Sequence, residues 1–298
     1  MATLLCLGHA TLDAIYRVDA IPTAPIKVPA FDFAQSVGGM AAAAAVAAAR
    51  LGARVHFWGR VGDDDVGGRI AAELARDGVD VTRLRRVPGA RSPMSAILVD
   101  RAGERLVCPF LDPRLDADPG WLPIAELDRF DAVVTDVRWP TGAALVLKAT
   151  KARGMTAVLD ADLAARDVLA ALVPHASHVV FAEPALLSFT GKDTIETALR
   201  AATTVAAAVV GVTAGADGFY WLDGTALRHA PAPRVEAVDT LCAGDVFHGA
   251  FALALAERQS IEAGARFANA AAALKCTRFG GASGAPTRDE VEKFLAGV

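Results

Sequence analysis

Val238–Glu257 reads V-D-T-L-C-A-G-D-V-F-H-G-A-F-A-L-A-L-A-E. A short polar segment with one glycine runs into an alanine-rich apolar stretch, and Asp245 falls in the first turn of the helix this predicts. The first backbone N–H groups of a helix lack intrahelical partners and carry the positive end of its dipole, so they attract anions. A carboxylate beside such a place repels a bound anion unless it has chemistry to perform there. Phosphoryl transfer is chemistry of that kind: backbone N–H groups hold the migrating group while the carboxylate takes the proton of the attacking hydroxyl. An ordinary explanation stands beside it, because an acid is favourable in the first turn of any helix. Local physics does not separate the two.

Working outward, V-G-G-M-A-A-A-A-A-V-A-A-A-R-L-G (residues 37–52) pairs two glycines with the best helix former in the chain, ended by Gly52. The alanines suit tight packing of a helix on a sheet. Gly38 and Gly39 allow a ligand to lie against the backbone at the helix start. Before them, Thr3–Gly8 reads as a buried strand, and Asp13 follows past its carboxyl end, where open α/β sheets bind ligands. Asp13 is a candidate to accept hydrogen bonds from a polyol, or an ordinary turn aspartate. Residues 14–36 mix β-formers with Pro22, Pro25 and Pro29. Residues 91–111 hold a hairpin, S-A-I-L-V-D and E-R-L-V-C-P-F around Arg101-Ala102-Gly103. These two segments are expected to form a small sheet apart from the main body, a lid that also dimerises.

The remainder alternates. Strands are expected at 132–135, 156–160, 178–181 and 206–212, helices at 141–153, 183–189 and 194–203, and a hairpin at 218–228. Two helices, 243–257 and 261–276, and a short final one close the chain. Short apolar runs between helices mean parallel strands covered on both faces. With 298 residues and no linker or repeat, the expectation is one domain spanning 1–298.

Composition excludes several classes. A net charge of −4 without a basic stripe argues against nucleic acid. No apolar run reaches the ~18 residues of a membrane span, so no membrane partner is expected. The start M-A-T-L-L-C-L-G-H has no charged n-region, and Cys6, Cys108, Cys242 and Cys276 are too scattered for disulfides or a C-x-x-C zinc site. A cytoplasmic protein with buried, reduced thiols is expected.

At Asp239–Phe251 the resemblance becomes specific. D-T-L-C-A-G-D-V-F-H-G-A-F resembles the second signature of the ribokinase-like (PfkB) carbohydrate kinases, D-T-x-G-A-G-D-x-F. Gly38-Gly39 through R-L-G-A to G-R-V-G-D-D-D-V-G resembles their first signature, and V-T-A-G-A-D-G-F (212–219) and F-A-N-A-A-A-A-L-K-C-T-R-F-G-G (267–281) match in position. The resemblance covers nearly the whole chain. It implies a three-layer α/β/α fold with a mostly parallel central sheet and a small β lid, and ATP-dependent phosphorylation of a sugar or nucleoside hydroxyl with Mg²⁺. It further implies Asp245 as general base, with the backbone of Ala243, Gly244 and Asp245 as the anion hole. Asp13, Gly38 and Gly39 would face the sugar, and Thr213, Gly215, Gly218 and Asn269 the nucleotide. Asp239 and the Thr277–Ser283 loop resemble the family's site for a monovalent cation such as K⁺.

Three positions depart from the pattern. Cys242 replaces the signature's second glycine, which is tolerable if its φ is negative. Ala43 replaces an asparagine after the glycine pair. The N-x-x-E segment that organises Mg²⁺ reads A-E-P-A (Ala182–Ala185), with Glu183 one position from the missing asparagine. Lys27, Arg138 in D-V-R-W and the F-A-E-P run look most like the 6-deoxy-6-sulfofructose kinase branch, where a lysine and an arginine grip the sulfonate. Pro109 stands where that branch has asparagine. Solvated surface charge is the plain alternative for Lys27 and Arg138, which leaves fructose, ribose, 2-keto-3-deoxygluconate or a nucleoside as substrates. A sugar or nucleotide sensor without turnover is a second class. A Rossmann oxidoreductase is a third, but it needs G-x-G-x-x-G where this chain has G-H-A-T-L-D.

Overall fold

The computed structural model describes residues 1–115, 117–206 and 209–297. In chain order the strands are β1 (Thr3–Gly8), β2 (Thr11–Val18), β3 (Ala30–Gly38), β4 (Arg54–Gly62), β5 (Val79–Val87), β6 (Met94–Val99), β7 (Arg105–Phe110), β8 (Ala132–Asp136), β9 (Thr156–Ala161), β10 (His178–Ala182), β11 (Val209–Thr213), β12 (Phe219–Asp223) and β13 (Ala226–Ala230). The helices are α1 (Met40–Arg50), α2 (Asp65–Arg76), α3 (Pro140–Ala152), α4 (Arg166–Leu172), α5 (Glu183–Thr190), α6 (Ile195–Thr203), α7 (Ala243–Ala256), α8 (Ile261–Cys276) and α9 (Arg288–Ala296).

The large sheet has the order β13-β12-β11-β10-β9-β8-β1-β4-β5. It is parallel from β5 to β11, and β12 and β13 add an antiparallel hairpin at one edge. Alternate residues of one strand go to opposite faces. Leu4 and Cys6 of β1 join the core beneath α1, α7 and α8, while Leu5 and Leu7 join the core beneath α3, α5 and α6. Three layers follow from this alternation, and the small side chains of α1 explain its depth: Ala41 through Ala48 are all buried. Gly249 of α7 has the carbonyl of Ala44 so near that a β-carbon there would lie 2.3 Å from the oxygen, so only glycine permits this helix contact.

The small sheet has the order β3-β2-β6-β7, two antiparallel pairs joined by parallel β2 and β6. One register line crosses it as Ser36–Asp13–Ser95–Pro109, and the next line on the same face includes Ile15, Ile97 and Val107. The opposite face carries exposed Tyr16, Phe33, Met94, Leu106 and Phe110. Asp13 therefore belongs to a strand and not to a turn, because β2 begins immediately after the main-sheet strand ends.

Several expectations change. The strand expected at 206–212 is β11, shifted toward its carboxyl end, and residues 207 and 208 of that expectation lie outside the described residues. Strand β5 and helix α4 had no counterpart in the sequence reading. β5 carries four charged residues in V-D-V-T-R-L-R-R-V, and as the edge strand it can expose them. The cysteines are all free thiols as expected, but only Cys6 and Cys242 are buried; Cys108 is exposed because every residue of β7 is, at the edge of the small sheet. Among the described residues no helix is long and apolar enough to cross a membrane.

Candidate active site

Strand β1 lies between β4 and β8, so the chain's crossovers leave it in opposite directions, and a crevice opens at the carboxyl ends of the strands there. A cleft of about 1100 Å³ fills this crevice, bounded by the large sheet, the small sheet and the start of α7. The turn after β1 is held by Asp136, which is fully buried and accepts from the amides of His9 (2.7 Å) and Ala41 (3.1 Å) and, through its other oxygen, from Arg138 (2.8 Å).

Asp245 lies in the first turn of α7 and lines the cleft. Among the described residues the amides of Gly244 and Asp245 have no hydrogen-bond acceptor, whereas that of Ala243 donates to Thr240 O at 3.3 Å. The open donors are thus those of Gly244 and Asp245. A β-carbon at Gly244 would meet nothing within 4 Å, which is the mark of a backbone facing open space. Burial and the nearby negative Asp160 push the Asp245 carboxyl up to about 8, against the opposing pull of His248 and of the Cys242 thiol that hydrogen-bonds it. A carboxylate tuned this way is matched to accepting a proton near neutral pH.

Cys242 precedes the helix at φ 61° and ψ 10°. The condition of a negative φ is not met: Cys242 adopts the left-handed conformation that glycine enters freely, although a side chain costs ~1–2 kcal/mol there. Only Cys242 and Arg258 adopt positive φ among the described non-glycine residues.

Asp13 faces the cleft from β2 with 4% exposure. Its Oδ1 and the Thr11 hydroxyl are buried without a hydrogen-bond partner, a costly state that a bound polyol would relieve. Burial raises the Asp13 carboxyl to about 6, with the Ser95 hydroxyl working the other way. The glycine pair acts in two ways. A β-carbon on Gly38 would fall 1.9 Å from Asp13 Oδ2, so Gly38 makes room for Asp13 and does not line the cleft itself. Gly39 does line it, at φ 88°, pressed against the His9 carbonyl.

Thr213, Gly215 and Asn269 line the other end of the cleft. Thr213 Oγ1 donates to Phe181 O at 3.3 Å and Asn269 Nδ2 to Ala230 O at 2.8 Å. Gly218 lies outside the lining; at φ 95°, its β-carbon position is filled by the Ala230 carbonyl, so it shapes the turn into β12. Glu183 begins α5 and faces the cleft. Arg138 faces it too, though its guanidinium is already engaged with Asp162 (3.0 Å) and Leu163 O (2.9 Å). Lys27 is exposed between β2 and β3 and is not brought to the cleft. Asp239 is fully buried with Lys275 Nζ 3.1 Å away, so the monovalent-cation reading of this carboxylate does not fit the groups that surround it.

The sequence reading missed Thr11, Ser95, Arg105, Asp160, Asp162 and His248. Asp160 and Asp162 had a signal, the acidic D-A-D that ends β9 at the sheet's binding edge. Buried His248 replaces no expected residue; its Nδ1 meets Gly244 O at 2.7 Å, and Asp160 Oδ2 lies 3.4 Å away.

The chain is similar along its length to kinases of small sugars. It is 31% identical over 299 residues to a ribokinase of Bacillus subtilis (strain 168), covering 99% of this chain and 100% of that one. It is also 31% identical over 298 residues to an ATP-dependent ribose-1-phosphate kinase of Halopiger xanaduensis, covering 99% of each. Its fold matches the solved structure of a candidate ribokinase from Agrobacterium tumefaciens with a TM-score of 0.96 at 42% identity, over 99% of this chain and 98% of that one. Residues 1–288 match the pfkB family of carbohydrate kinases, and with Asp245 at an open helix start lining the same cleft as Asp13, the chain belongs to that family.

Proposed function

We propose that this chain transfers the γ-phosphoryl group of ATP to a hydroxyl of a small sugar. The observation that carries the reading is the pairing of an elevated carboxyl, Asp245, with two open amides at the start of α7. Asp13, with Thr11 and Ser95 beside it, binds the sugar's hydroxyls and orients the acceptor toward Asp245. Asp245 removes the acceptor's proton, and the Gly244 and Asp245 amides stabilise charge on the group in transit. Thr213, Gly215 and Asn269 seat the nucleotide. Among the described residues no three His, Cys, Asp or Glu side chains cluster closely enough to ligate a metal directly. The cleft carboxylates Asp160, Asp162 and Glu183 suit Mg²⁺ all the same, since that ion keeps most of its waters and binds through one or two carboxylates and phosphates. Bound there, it would supply neutralising charge.

For the sugar, an acidic ketose such as 6-deoxy-6-sulfofructose is supported by Arg138 and Arg105, both of which line the cleft. Ribose or ribose 1-phosphate is the second reading, supported by the names of the two relatives and by the position of Lys27 outside the cleft. The small sheet (segments 14–36 and 91–111) acts as a lid over the cleft. Its exposed outer face, with Tyr16, Phe33 and Leu106, pairs with a second copy; a monomer in sedimentation at micromolar concentration would remove that reading.

An ADP-release screen over fructose, sulfofructose, ribose, ribose 1-phosphate, 2-keto-3-deoxygluconate and adenosine tests the whole. Turnover on one sugar, lowered ~10²-fold or more by Asp245→Asn with sugar binding retained, is the expected result. Binding without ADP release would make the chain a sensor. Arg138→Ala should lower activity on acidic sugars alone; an equal loss on neutral ones would remove the anion pocket.

A further inference from the structure

The entry to α7 is fixed by an ion pair that reaches no substrate. Asp239 and Lys275 are both fully buried, and Lys275 Nζ stands 3.1 Å from Asp239 Oδ2 while donating to the Asp239 backbone carbonyl at 2.7 Å. Oδ2 also accepts from the amides of Gly280 and Gly281, 3.0 Å each, and Oδ1 from the amide of Leu241 at 2.8 Å. The amides of Val238 and Asp239 in turn donate to Cys276 O, at 2.8 and 3.1 Å. Together these contacts bind the 238–242 segment to the end of α8 and the loop after it. That segment leads straight into the open amides of Gly244 and Asp245.

This is the place where the family resemblance implies a monovalent cation. Such an ion needs a cluster of oxygen lone pairs turned toward it. The Asp239 carboxylate turns its lone pairs to N–H donors instead, and an ammonium already supplies the positive charge. A second cation in the same dry space would be repelled at close range.

We infer that Lys275 is a positioning residue whose ammonium takes the part of a bound monovalent cation, preorganising the anion site of α7, so that turnover needs no K⁺. The inference rests on the kinase reading above. Its test runs the wild type and Lys275→Ala in potassium, ammonium or tetramethylammonium chloride at equal ionic strength, recording thermal midpoint, kcat and the KM for the sugar. The wild type should melt at one temperature and turn over at one rate in all three salts, because it binds none of these ions. Lys275→Ala leaves Asp239 buried without its charge partner. In tetramethylammonium it should melt lower and lose about 10²-fold in kcat through misplacement of the α7 entry, with the sugar KM little changed. Potassium or ammonium, small enough to enter, should raise both its midpoint and its kcat. A wild type that melts higher and runs faster in potassium than in tetramethylammonium would overturn the inference, whether or not the variant folds. A folded Lys275→Ala as fast as wild type, or equally slow in all three salts, would overturn it as well. The melting arms are read without turnover, so they stand even if the screen finds no kinase activity.

Discussion

Replacing Gly38 with alanine adds one methyl group in the direction where Asp13 stands. Gly38 is not among the glycines at positive φ, so its backbone accepts a side chain without strain. The added carbon would nevertheless lie 1.9 Å from Asp13 Oδ2 and 2.5 Å from its Cγ. Carbon atoms rest at about 3.5–4.0 Å from their neighbours, so the carboxylate must retreat by roughly 1.5 Å or more. A hydrogen bond at 2.7–3.2 Å does not survive such a shift. A charged hydrogen bond contributes about 1.5–3 kcal/mol, which makes the expected rise in sugar KM roughly 10- to 150-fold. Asp245 and the nucleotide end are on other elements, so the KM for ATP should hardly move. The assay is ADP release with sugar and ATP varied separately, run beside Asp13→Asn as the direct lesion and with a thermal melt to confirm folding. A folded Gly38→Ala enzyme with an unchanged sugar KM would refute the placing of Asp13 in the sugar site. A loss of equal size in the ATP KM would refute the separation of the two ends of the cleft.

Two further outcomes follow from the electrostatics of Asp245. Because the base must be ionised, kcat/KM should rise with pH to a plateau above about 8, and Asp160→Asn should move this limb to lower pH by removing the neighbouring negative charge; a limb that stays in place would mean that another group is being titrated. Cys242→Gly should leave the thermal midpoint nearly unchanged, since relief of a left-handed residue, ~1 kcal/mol, is offset by the loss of a buried thiol of similar worth. It removes the thiol's hydrogen bond to Asp245, however, so the same limb should shift to higher pH, opposite to Asp160→Asn. Shifts of both variants in one direction would contradict the roles given to these neighbours.

The legible part of the site was what local chemistry writes into a few adjacent residues. A helix start with an acid and glycines behind it can be read from Val238–Glu257, and the glycine pair before α1 from residues 37–40. Asp13 was found through its position after a strand, although the strand it belongs to was not. The acids of β9 carry a usable signal, D-A-D at the binding edge of the sheet. Ser95, Thr11 and Arg105 carried none, because a serine on a hairpin becomes a site residue only when β6 pairs in register with β2 and brings it beside Asp13. Lys27 and Arg138 show the reverse. Their residue types suggested a joint cation grip, but the fold leaves Lys27 in solvent and gives Arg138 to Asp162.

What the sequence by itself determined was the architecture and the chemistry. Hydrophobic periodicity decides which faces are buried, and the positive end of a helix is a property of any helix, so both are present in the order of the residues. Tertiary structure alone decided the backbone angle at Cys242 and the partner of Asp239. Each depends on what other segments bring within a few ångströms. The α7 entry is pinned in a glycine-like turn by its neighbours, and a lysine thirty-six positions further on returns its ammonium to the aspartate. Whether Asp239 holds an ion or a side chain depends on the fold that closes around it, because inside a dry core the nearest cation takes the charge.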